Sequence, residues 1–181
     1  PGETFSSTVH AYRIYCDAME LKLQSGAALL ADFESNIAAR QRMDMSHHDF
    51  MLAWLSALEG DYSKAFAQAE VAKELAATLG FDFGVMLNSN LCAQLAVFLG
   101  HFDKAERELA ELTIFANTSQ NKLANIMLGF SRSWIKARQF GPLVGLDDIN
   151  TAFKLAEQEG VLAYPGFLHE VMAELALIQI R

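Results

Sequence analysis

Proline, cysteine and positive charge are all scarce in this chain, and each scarcity removes a class of protein. Three prolines in 181 residues, against plentiful Ala, Leu, Glu, Lys, Gln and Met, favour helix over strand, because Pro is the strongest helix breaker and these others the best formers. The two cysteines, Cys16 and Cys92, lie in apolar helical patterns, which fits buried reduced thiols better than a disulfide framework and leads us to expect a cytoplasmic location. Lys and Arg number 14 against 22 Asp and Glu, a formal charge of −8 without any basic cluster, so the surface repels phosphate backbones and direct nucleic-acid binding is not expected. No apolar run approaches the roughly 20 residues that span a bilayer, and no basic start followed by an apolar core marks a signal peptide, so no membrane association is expected.

What is present suffices to fold: 52% hydrophobic residues with 20% charged ones exclude disorder. The chain opens on PGETF without Met and ends on AELALIQIR, an apolar helical pattern without a terminating Gly. Residues 1–181 are therefore expected to be a single domain excised from a longer protein.

The most informative feature is a recurrence. ALEGDYSKAF (57–66) is answered forty residues later by VFLGHFDKAE (97–106), and Gly60, Gly100, Gly80 and Gly160 fall on the same forty-residue grid. Gly60 and Gly100 are expected between the two helices of a hairpin, and Gly80 and Gly160 at the end of a second helix, where a left-handed residue is wanted. Gln120, in the polar stretch NTSQN, serves the same break. Between these marks apolar residues recur at three and four, as in Ala65, Ala69, Ala72 and Ala76. The resulting helices are placed at about 7–24, 27–43, 46–59, 62–79, 82–99, 102–117, 121–140, 147–159 and 164–180. SHHD (46–49) reads as a capping box built on Ser46, and Asp61 and Asp147 as further N-caps. Gly26 departs from the grid, and GPLVG (141–145) reads as a lengthened turn before a shortened helix.

At GDYSKA and GHFDKA the chain resembles the tetratricopeptide repeat, whose turn and second helix carry Gly, a polar residue, an aromatic, two variable residues and Ala. A small residue seven positions before each Gly, Ala53 and Ala93, continues at Ser133 and Ala173. The unit is longer than the family's usual one and lacks its closing Pro, so it is similar to the long repeats of large bacterial transcriptional regulators and STAND-class signalling ATPases. The resemblance implies an all-α superhelix, a solenoid of about four helical hairpins plus one extra helix. It also implies a sensor module that binds a protein, a peptide or a small-molecule effector on its concave face.

Stepping by forty from Phe50 and Trp54 gives Asn90 and Gln94, Phe130 and Trp134, then Glu170 and Glu174. Each pair is spaced i, i+4 and shares a helix face. By the resemblance this column lines the groove and suits a peptide or an organic ligand with a cationic end; alternatively its aromatics fill the core between helices. No catalytic residues, metal ligands or cofactor are expected. His47 and His48 are adjacent and point about 100 degrees apart on a helix, Glu170 and Glu174 lack a partner motif, and Cys92 sits where burial makes a thiol inert. Val171, Met172, Leu175, Ala176, Ile178 and Ile180 give the last helix more apolar surface than one hairpin covers, which suggests a further helix or a homodimer. A scaffold that only self-associates is the rival reading.

Overall fold

The computed structural model describes residues 23–36, 42–119 and 121–160. Among the described residues seven helices follow one another: α1 Leu23–Asn36, α2 Arg42–Leu58, α3 Tyr62–Thr78, α4 Asp82–Phe98, α5 Phe102–Ser119, α6 Lys122–Phe140 and α7 Pro142–Gln158. There is no strand among the described residues, so the fold is all-α. No described helix is long and apolar enough to cross a membrane. The chain forms two compact units, Pro1–Leu95 and Ala96–Arg181, which divide near the end of α4.

The forty-residue ruler is obeyed by the helices themselves. α2, α4 and α6 begin at residues 42, 82 and 122, and α3, α5 and α7 at 62, 102 and 142. Gly60, Gly80, Gly100 and Gly160 all adopt positive φ, at 86, 63, 76 and 64 degrees. At Gly80 the turn donates from the Gly80 amide to Ala77 O at 3.1 Å and from Phe81 to Ala76 O at 2.8 Å, which satisfies two carbonyls the helix end leaves over. Gly60 with Asp61, and Gly100 with His101, repeat the pair of bonds. An L side chain at such a φ costs about 1–2 kcal/mol, so the turn selects glycine each time. Asp61 then caps α3 by accepting from the Lys64 amide at 3.1 Å, as its position implies.

In unit 1, α2 packs on α3 through a stripe of small residues: Ala65, Ala69, Ala72 and Ala76 are fully buried, and so is Ala53 on α2. Small side chains let the helix axes approach closely and make volume changes costly. In unit 2 the same stripe, shifted by forty, is Ala105, Leu109, Leu112 and Ala116 on α5, and shifted again it is Gly145, Ile149, Ala152 and Ala156 on α7, all buried. Ser133 is fully buried at the register of Ala53 and Ala93 and donates from Oγ to Gly145 O at 2.7 Å. Lys136 pairs with Asp148 at 2.6 Å, and Lys122 pairs with Glu159, so polar contacts flank the α6–α7 seam.

Four local expectations are overturned. α2 starts at Arg42, a turn earlier than the capping box implied, so Ser46 lies inside the helix and is 1% exposed. GPLVG is no lengthened loop: Gly141 alone turns the chain at φ 102 degrees, and α7 starts on Pro142, whose missing N–H is not needed in a first turn. Asp147 accordingly sits within α7, where its carbonyl accepts from Thr151 Oγ1 at 2.8 Å. Gly26 marks no break either; it lies within α1, where an added Cβ would come within 3.3 Å of Leu55 Cδ2 on α2. The break at NTSQN is real, with Asn121 capping α6 through the Ala124 amide at 3.1 Å, although Gln120 falls outside the described residues. So do Cys16, Ala173 and the helices expected at about 7–24, apart from its last two residues, and 164–180.

Candidate functional site

The first helix of each hairpin carries the candidate residues, and it is buried on more of its circumference than the second. On α6 ten residues are buried, including Phe130, Ser133 and Trp134. A helix buried on most sides presents little to a ligand, so the positions that remain accessible carry the information.

Among the predicted column, Phe50 is 7% exposed, Asn90 8%, Phe130 1% and Trp134 5%, whereas Trp54 and Gln94 are partly exposed. In unit 1 the Phe50 and Trp54 rings lie 6.1 Å apart at 52 degrees, as the i, i+4 spacing requires. Phe50 and Asn90 thus lie beneath the surface, and Trp54 and Gln94 reach it. In unit 2 the column fills the interior. The Phe130 ring meets Phe153 of α7 edge-on at 6.0 Å, and Trp134 packs on Phe98 at 4.8 Å with the Arg138 guanidinium 5.5 Å from its centroid. Glu170 and Glu174 lie outside the described residues. Cys92 is fully buried, in keeping with an inert thiol.

A further set of polar residues is buried in unit 1: Ser46 and His48, which the sequence suggests as a cap and a surface residue, and Asn88 and Ser89, for which it suggests no role. His48 donates from Nδ1 to Asp49 Oδ1 at 3.0 Å. Ser46 Oγ, Asn88 Oδ1 and Ser89 Oγ find no hydrogen-bond partner among the described residues. A fourth such atom, Gln68 Oε1, is on α3. Leaving a buried group of this kind unsatisfied costs about 1–3 kcal/mol each. Such atoms are few in native domains and call for an explanation. The His47 ring stands 5.2 Å from Phe81, the residue before α4. A signal was available: at one register α2 reads SHHDF, α4 MLNSN and α6 IMLGF, so polar residues occupy positions that are apolar in α6.

Compared with known protein families, characterised proteins and solved structures, the chain matches none.

Proposed function

We propose that this chain is a non-catalytic binding module, a tetratricopeptide-like helical repeat that serves as the sensor of a larger regulatory or signalling protein. The observation that carries the reading is the placement of Trp54 and Gln94. Both stand at the same register of successive leading helices in unit 1, both are partly exposed, and a buried aromatic or amide lies one turn before each. A partly exposed indole, its Nε1 buried, supplies apolar contact area at small conformational cost, and an amide supplies direction. A protein, a peptide or a small-molecule effector is the partner this pair suits. The formal charge of −8 favours neutral or cationic groups over anionic ones.

Calorimetric titration of the chain with peptide and metabolite panels tests this. Saturable binding is expected, weakened at least about 10-fold by Trp54→Ala, as for an aromatic hot spot. The milder change Gln94→Ala, which removes only the amide, guards against mere unfolding. Binding that neither substitution alters would contradict the reading.

A scaffold that self-associates without a ligand is the second reading, and one observation favours it. Phe140, Leu143 and Val144 are 67%, 71% and 49% exposed around the α6–α7 turn. An absence of binding, together with a mass that rises with concentration, would put that reading ahead.

A further inference from the structure

We infer that the α6–α7 turn is the contact surface of a two-fold homodimer, in which Phe140, Leu143 and Val144 of one copy pack on the same set in a second copy. The dimer rests on the self-association reading above and adds its stoichiometry, its symmetry and its charged rim; it forms with or without a ligand.

This turn departs from its own repeat. At the same register the two earlier turns carry Gly60, Ser63 and Lys64, then Gly100, Asp103 and Lys104. Those turns close with small or polar residues at these three positions, so the fold does not require apolar ones here. Leu143 and Phe140 are the two most exposed large apolar side chains among the described residues, and they flank one glycine. The Gly141 amide donates to Ala137 O at 3.1 Å and the Val144 amide to Gly141 O at 3.2 Å, which holds the three apolar residues around a single tight turn. Apolar residues scattered singly on a surface need no explanation, whereas a group of them marks a contact.

The border of this patch selects a second copy as the occupant. Lys136 stands one turn before Phe140 on α6, Asp148 one turn after Val144 on α7, and the two pair at 2.6 Å across the seam. Asp147, one turn after Leu143, is exposed beside them. The apolar centre thus has a cation on the α6 side and carboxylates on the α7 side. In a two-fold contact one surface meets itself, so it must be its own complement, and a rim of one sign would repel its copy. With the axis along the α6–α7 seam, Lys136 of each copy faces Asp147 of the other, and Phe140 faces Leu143 and Val144. The contact is small: an interface of standard size covers about 800 Å² on each partner, more than three side chains and their rim supply, so the dimer is a reversible one.

Sedimentation equilibrium of the full chain from about 10 μM to about 1 mM tests this, the range in which small contacts associate. The mass is expected to rise from that of one chain and to level off at twice it, as a closed two-fold contact requires. Leu143→Glu should weaken dimerisation at least about 10-fold. Asp147→Lys, which sets cations face to face at the rim, should weaken it as well. Ile114→Glu, at a comparably exposed site two turns along α5 from Glu106, should leave it unchanged. In dilute solution the Leu143→Glu chain should melt within about 2 degrees of wild type, since the side chain it replaces is exposed. A chain that stays monomeric throughout, a mass that climbs past two chains without levelling, an Ile114→Glu effect equal to that of Leu143→Glu, or a larger fall in the dilute Tm would each overturn the inference. Ligand binding is read separately by calorimetry, so failure of the dimer and failure of the binding-module reading are told apart.

Discussion

Phe130→Ala is expected to lower the unfolding free energy by about 3–5 kcal/mol, the range for emptying a buried aromatic site. The ring is 1% exposed and meets Phe153 edge-on at 6.0 Å across the α6–α7 seam. One residue before it on the same helix, a Cβ on Gly129 would already lie 2.7 Å from Ala152 Cβ of α7. Helices held this closely have little room to collapse into a cavity, which places the loss in the upper part of the range. Domains of this size hold about 5–15 kcal/mol in total, so the variant should unfold at much lower urea concentration with an unchanged slope. A loss under about 1 kcal/mol would mean that the ring is a groove residue with little packing role.

Gly145→Ala should be destabilising by about 1–3 kcal/mol, and here the sign matters more than the size. At an unconstrained position inside a helix the same change stabilises by about 1 kcal/mol, because alanine is the better helix former. Position 145 is constrained: an added Cβ would stand 2.5 Å from Ser133 O, 3.1 Å from Ser133 Oγ and 3.2 Å from Ala137 Cβ. The nearest of these is backbone and cannot rotate away. Relief requires α7 to move off α6, which stretches the 2.7 Å bond from Ser133 Oγ to Gly145 O. Urea unfolding of the variant checks the sign. A stabilised Gly145→Ala protein would show that α7 does not lie against α6 at this point.

Much of the fold was legible because the chain repeats itself at a fixed period. A glycine that must take positive φ is visible from sequence, and four of them on one grid place the hairpin turns at 60, 80, 100 and 160. The fold departs from expectation where a local signal conflicts with that ruler. Stepping back forty from residue 82 puts a helix start at 42, where the capping pattern at Ser46 points to a later one. Stepping forward from 102 puts one at 142, yet Gly141, Pro142 and Gly145 together read as a loop. In fact Pro142 opens a helix, and Gly145 is where Ala65 and Ala105 stand in the earlier repeats, the same tight contact with its last methyl removed.

The candidate site was less legible. Period and residue type put Trp54 and Trp134 in one column, but exposure depends on what covers a position, and the sequence does not state that. The buried polar residues at 46, 88 and 89 were harder still, since Ser in a helical pattern also reads as a cap and Asn as surface. Only lining up α2 and α4 against the apolar run of α6 separates them.

Acrylamide quenching of two single-tryptophan variants tests whether the accessible recognition face belongs to the leading helices of unit 1. Trp134→Phe leaves Trp54 as the reporter, and Trp54→Phe leaves Trp134, which is 5% exposed. Trp54 should be the more readily quenched of the two and should be protected when a ligand is bound, while Trp134 should emit at shorter wavelength and resist quencher with or without ligand. Equal or greater quenching of Trp134, with Trp54 indifferent to every ligand, would contradict that assignment.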